Sequence, residues 1–244
     1  MTTCNRISSL LLAQLLRKQL VVAAALLVTA AGSAFAGTLA TTSLAYNDGA
    51  GPDGGIWRGS VTVSATSFTN DEVDAVVDFA VFPPGPRFQQ YLDDNGYAGV
   101  DPSNGDAVYA YQISSVSAAV PGIGSLSVGI DASDIVSLIT SVATGVAGEV
   151  SPTADSNQGG TSAFWSFGNP VGVGGLSSIL VITSPTVPAY DTLQLTSGIA
   201  GPNPSPLVPS PTDSLEPFRE VPEPVSIGLL MSVALCGVSL RCKR

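Results

Sequence analysis

Short apolar runs alternate with polar positions along most of the chain, and clusters of Gly, Pro, Asn and Asp separate them. Over 73–82, Val73, Ala75, Val77, Phe79 and Val81 share one face at period two. Asp74 and Asp78 fall on the other face, which predicts that it is at least partly wet. Pro83-Pro84-Gly85-Pro86 then stops the strand. The same alternation appears in Val61, Val63 and Ala65, in Tyr109, Tyr111 and Ile113, in Leu126, Val128 and Ile130, and in Ala163, Trp165 and Phe167. Ile179-Leu180-Val181-Ile182 is apolar on both parities, as a central strand covered on both sides would be. With strands at 38–46 and 190–196 the pattern predicts about eight, at the spacing of an antiparallel β-sandwich, a mainly β fold. One stretch breaks the period. Ile135, Leu138, Ile139 and Val142 fit a helical stripe that Asp131 or Ser133 would cap, although β-branched residues crowd it.

Composition narrows the chemistry. The 244 residues include 26 Gly, 18 Pro and no His. Without imidazole, neither a Ser-His-Asp nor a Cys-His site can be built, and no His-ligated metal centre either. The formal charge of −10 argues against nucleic acid as a partner, because that affinity comes from Lys and Arg neutralising phosphates. Within 37–220 there are three Arg (Arg58, Arg87, Arg219) and eighteen acids, a formal charge of −15, with no Lys, His, Cys or Met. Schiff-base chemistry, thiol nucleophiles and P-loops are thereby excluded from that region.

The two ends read as addresses. Residues 1–36 carry Arg6, Arg17 and Lys18, then an apolar run over 20–31, then Ala34-Phe35-Ala36 before Gly37. Small residues at −3 and −1 predict a secretory signal peptide cut by signal peptidase between Ala36 and Gly37. An uncleaved anchor is the competing reading, and the shortness of the apolar run weighs against it. Residues 225–240 are uncharged and are followed by Arg241, Lys243 and Arg244. As a helix they would be roughly 24 Å long, able to cross a locally thinned bilayer as a transmembrane segment. Cations at both ends stay cytoplasmic, so the intervening chain is expected on the far side of the membrane. Its three cysteines, Cys4, Cys236 and Cys242, belong to these ends, so the exported part has no disulfide framework. Residues 201–220 begin with six prolines in seventeen positions and predict an extended stalk beneath a 37–200 domain.

The segment 221–244 resembles the PEP-CTERM sorting signal of bacterial exopolysaccharide-associated proteins. The likeness rests on Val221-Pro222-Glu223-Pro224, the short apolar helix and the Arg241-Cys242-Lys243-Arg244 tail. The resemblance implies that an exosortase-type membrane protease recognises Pro222, Glu223 and Pro224, as parts of a substrate, and that exopolysaccharide is a neighbour or partner. The two prolines would keep the motif extended above the bilayer. An ordinary C-terminal anchor is the plainer alternative. The order of Val-Asp-x-x-Val-Asp-Phe-Ala-Val-Phe at 73–82, Tyr109-Ala110-Tyr111-Gln112, Trp165-x-Phe167 and Ser184-Pro185 also looks like ectodomains borne by such proteins, which come without an assigned activity.

Three kinds of chemistry are open to the remaining residues. Acidic Gly-rich loops at 47–54, 93–96 and 101–106 offer oxygen ligands for Ca²⁺, but none has EF-hand spacing, and Asn, Asp and Gly also make ordinary turns. Two carboxylates could hydrolyse a glycoside, yet no pair sits in an aromatic cleft, and acids such as Asp74 and Asp78 fit a solubilising role better. Trp57 and Trp165 could stack on sugar rings, unless they are core. No catalytic residue, metal or cofactor is assigned. The expectation is a non-enzymatic protein, exported and membrane-anchored until processed, then a structural component of the cell surface or extracellular matrix. A carbohydrate- or calcium-binding module is the alternative.

Overall fold

A computed structural model of the chain describes residues 39–47, 57–66, 72–119, 122–131, 135–197 and 206–211. The signal segment, its cleavage residues Ala34, Ala36 and Gly37, the apolar segment 225–240, Pro222, Glu223, Pro224 and the Arg241, Lys243 and Arg244 cluster lie outside the described residues. Among those described, no helix is long and apolar enough to cross a membrane.

A 3-10 turn at Leu39–Thr41 precedes β1 (Arg58–Thr66), β2 (Glu72–Phe82) and α1 (Arg87–Asp94). There follow β3 (Ala107–Ala119), β4 (Ile123–Gly129), β5 (Leu138–Val142), β6 (Glu149–Val150) and β7 (Ala154–Gln158). The remaining strands are β8 (Ser162–Val171), β9 (Leu176–Ser177), β10 (Ile179–Ser184), β11 (Pro188–Ser197) and β12 (Leu207–Pro211). One antiparallel sheet has the order β1-β2-β3-β10-β5, the other β12-β11-β4-β8-β7, and β6 and β9 form a short parallel pair.

The alternating strands place one parity of each sheet in a single apolar core. Val63, Val77, Phe79, Tyr109, Tyr111, Leu180 and Ile182 from the first sheet meet Leu126, Val128, Trp165, Phe167, Leu193 and Leu195 from the second. Contacts cross between the sheets at its centre. The Tyr111 and Trp165 rings are tilted with centroids 6.1 Å apart, and the Trp165 indole N–H donates to the Thr140 carbonyl at 2.7 Å. The Tyr111 hydroxyl donates to the Pro209 carbonyl. These bonds settle how two amphipathic rings can be fully buried, since each polar atom finds a partner.

Besides the strand expected at 38–46, where Leu39–Thr41 is a 3-10 turn and 42–46 join no strand, three segments depart from the pattern-based expectation. The first is α1, which the alternation did not announce. Phe88, Tyr91 and Leu92, spaced i, i+3, i+4, are all buried. Pro86 is tolerated at the helix start because that N–H would have no intrahelical partner. At the other end Gly96 takes φ +66, its N–H bonds the Asp93 carbonyl and the Tyr97 N–H bonds the Leu92 carbonyl, a Schellman stop. The second is the 135–142 stretch, whose expected helix is replaced over Leu138–Val142 by β5. Its β-branched Ile139, Thr140 and Val142 pair with β10, and the supposed stripe is broken because Ile135 and Leu138 are exposed. The third is the stalk. Leu207–Pro211 is the edge strand β12, paired with β11, so the domain runs past 200 into the proline-rich segment. Prolines are accommodated there because an edge strand needs only half its N–H groups for pairing.

Truncating the ring at the centre should be costly: Trp165→Ala is expected to lose about 3–5 kcal/mol in denaturant unfolding. A loss below about 1 kcal/mol, the size of an ordinary surface substitution, would mean that the sheets do not depend on it.

Candidate functional site

The outer face of the first sheet carries the polar residues with the most altered environment. Asp78 on β2 and Gln112 on β3 sit opposite one another in register and are both buried. Sequence alternation placed Asp78 on a partly wet face. That holds for Asp74, which is half-buried, but Asp78 is only 3% exposed. The reason is the helix: on the same face of β2, Phe82 packs against Phe88 at 5.0 Å and Tyr91 at 5.3 Å.

Burial raises the Asp78 carboxyl above its ordinary value, opposed by hydrogen bonds from the Ser60 and Ser114 hydroxyls. Ser60 donates at 2.6 Å. Gln112 donates its amide to the Ser177 carbonyl at 2.9 Å. Burial also pushes the Tyr91 phenol well up, helped by its hydrogen bond to Tyr97 and by the charge on Asp78. Tyr97 is raised by burial, and Glu149 adds to the shift. Carboxylate, phenol, phenol and carboxylate thus follow one another beneath and beyond α1. Glu149 is already committed: it accepts the Thr144 N–H at 3.0 Å, the Thr144 hydroxyl at 2.6 Å and the Gly145 N–H at 2.9 Å. It ties the 144–149 loop together through these bonds.

An open cleft of about 340 Å³ lies between residues 41–44 and the exposed side of α1, at Gln90, Tyr91, Asp94 and Asn95. Among the described residues Asp94 is the one carboxylate on its wall, and neither Asp78 nor Glu149 lines it. A two-carboxylate hydrolysis needs a second acid across the substrate, which the described residues of this wall do not include. Asn95 spends its amide on the Tyr91 carbonyl at 2.8 Å.

The other candidates disperse. In the 93–96 loop Asp93 accepts from the Gln89 amide at 2.8 Å. In the 101–106 loop Asp101 accepts from the Ser103 N–H at 2.8 Å, and Asn104 and Gly105 take positive φ. The first is an i, i+4 pair on the surface of α1, and the second is turn chemistry. Asp48 and Asp53 of the third loop are outside the described residues. Among the described residues no group of three acids, His or Cys is placed to hold a metal ion. Neither tryptophan offers a sugar platform. Trp165 is fully buried, and Trp57 is 5% exposed with its ring stacked on Tyr190 at 4.6 Å. The Trp57 indole N–H is buried without a partner among the described residues.

No protein-family model matches this chain, and neither does any curated protein or solved structure. Function therefore has to be argued from its own residues. What reasoning from alternation missed here is the pair Asp78 and Tyr91. The signal that could have found it was the Phe88, Tyr91, Leu92 triplet followed by Asn95-Gly96, a short amphipathic helix with its stop.

Asp78 has a testable sign. A carboxyl raised in the folded state favours folding when protonated, so its contribution is present below about pH 3.8 and is lost as pH rises through the folded value. Asp78→Asn is expected to melt close to the parent at pH 3 and above it at pH 7, the gap widening between. A parent that melts higher at pH 7 would show that the Ser60 and Ser114 hydroxyls outweigh burial.

Proposed function

We propose that this chain is an exported, non-catalytic protein of the cell envelope or extracellular matrix, its two facing sheets forming a β-sandwich ectodomain. The observation that carries the reading is the placement of cations: Arg6, Arg17 and Lys18 precede the first apolar run, and Arg241, Lys243 and Arg244 follow the second. Cations of that kind remain cytoplasmic, so both segments send the residues between them outward. An oxidising compartment suits a domain with no cysteine between Gly37 and Glu220, and a charge of −15 keeps such a domain soluble there. Before processing, the 225–240 helix anchors the protein. Pro222-Glu223-Pro224 is then the recognition element for an exosortase-type protease, and the product stays at the cell surface or joins the exopolysaccharide matrix.

A reporter inserted at the exposed Asn104-Gly105 turn is expected to be active only outside the cytoplasm, and activity confined to the cytosol would end the export reading. For the processing step, Pro222→Ala with Glu223→Ala should leave the C-terminal helix attached in the native host. Identical C-terminal residues in variant and parent, found by mass spectrometry, would remove the sorting role and leave a plain anchor.

A further inference from the structure

The two large sheets have four edges, and three of them are blocked in recognisable ways. At β12 the blocking residues are Pro209 and Pro211, which lack the N–H that a further strand would need. Strand β5 is only five residues long. Strand β7 is five residues long, exposed throughout and carries Asp155. Such devices are the usual means of keeping sheet edges from pairing. Strand β1 is nine residues long and is charged only at its first residue, Arg58, whose guanidinium donates to the Thr42 carbonyl. Residues 59–66 contain neither charge nor proline, in a region whose formal charge is −15, and nothing described pairs with its outer side.

The backbone direction at this edge follows from one bond. Val81 N–H donates to the Trp57 carbonyl at 2.8 Å, just ahead of β1, and the register of β1 with β2 runs unbroken from there. With a period of two, odd residues turn their N–H and C=O toward β2 and even residues turn theirs to the free edge. Ser60, Thr62 and Ser64 are those even residues, and their side chains are exposed. The sequence about Thr62 is also symmetric: Ser60-Val61-Thr62-Val63-Ser64 reads the same in both directions.

We propose that β1 pairs antiparallel with β1 of a second copy about a twofold axis through Thr62, joining two five-stranded sheets into one of ten. The register sets Thr62 opposite Thr62, and Ser60 opposite Ser64, all with outward-facing backbone groups, so the ladder bonds form without any slip. Between them Val61 of one copy meets Val63 of the other at the closer, non-hydrogen-bonded spacing. Val61 is only half-buried in the single chain and gains cover. Like residues opposite like make an isologous interface, which a twofold requires. Two copies of so acidic a domain meet here at uncharged strands, the approach that costs least in repulsion. One strand pair buries less than a permanent dimer needs, so the association is weak and concentration-dependent. None of this depends on the export proposal.

Cysteine cross-linking decides it. In the full chain with Cys4→Ser, Cys236→Ser and Cys242→Ser, Thr62→Cys should form a disulfide-linked dimer on mild oxidation. Hydrogen-bonded partners lie about 5.5 Å apart at Cα, within disulfide reach. Ser64→Cys places its two thiols roughly 14 Å apart and should cross-link at least about tenfold more slowly. Mixing Ser60→Cys with Ser64→Cys chains should restore the fast reaction. Equal rates for Thr62→Cys and Ser64→Cys, or no dimer from Thr62→Cys, would overturn the pairing. As a second measurement, Thr62→Pro removes an N–H that β2 does not use. It should abolish the concentration-dependent dimer seen by sedimentation of the cysteine-free chain, while a dimer that persists in this variant counts against the proposal.

Discussion

Strand β10 reads Ile179-Leu180-Val181-Ile182, and all four side chains are fully buried. A strand buried on both parities needs a layer on each side. Leu180 and Ile182 find theirs in the core shared with the second sheet. Ile179 and Val181 face the other way, on the side of the first sheet where α1 and the loop after it pack. Phe88 and Tyr91 of α1 close over Phe82. Gly99 of the following loop lies so near Val142 that a Cβ would sit 2.0 Å from its Cγ1. The domain has no disulfide and is strongly acidic, so these two apolar layers are the source of its stability.

The environment of Asp78 is a consequence of that arrangement. A carboxylate on the outer face of β2 would be ordinary surface if the helix were absent. With α1 in place, the same residue becomes a desolvated acid held by two serine hydroxyls and set near a buried phenol. Perturbed acids of this kind often mark active sites. Here the group is enclosed rather than presented to the cleft, and its partners are other structural side chains. The geometry therefore favours a role in fitting the helix to the sheet over a role in proton transfer.

Much of the fold was legible because alternation is a direct record of burial. Residues 73–82, 107–115, 124–130 and 161–167 all carry one apolar parity, and each is the body of a strand. What misled was local composition in conflict with tertiary context. At 201–217 proline density suggested chain outside the sheets, yet five of those residues complete a sheet edge, where proline is permitted. At 135–142 a helical spacing of apolar residues coincided with β-branched chemistry, and pairing with β10 decided the outcome. The helix α1 was hidden by its brevity and by the Pro-Gly-Pro before it. Of the candidate sites, the acidic loops could be read either as turns or as ligands, and the 93–96 and 101–106 loops are turns. Trp57 and Trp165 fell to the same ambiguity, because alternation states which face a ring occupies but not whether that face is covered. The proposed sorting residues Pro222, Glu223 and Pro224 lie outside the described residues and rest on a linear motif alone.

Where the charges stand ties these features together. Acids occupy the helix end, the turns at 93–106 and the β7 edge, places where another copy would meet like charge. Repulsion of that kind is selective as well as solubilising, since any gap in it becomes the preferred line of approach. The gap in this domain is the 60–64 stretch of β1, whose side chains are Ser, Val and Thr, residues that suit a sheet and bring no charge. A short neutral edge inside an acidic envelope gives weak, oriented association and disfavours the many other ways in which β-rich chains can stick together.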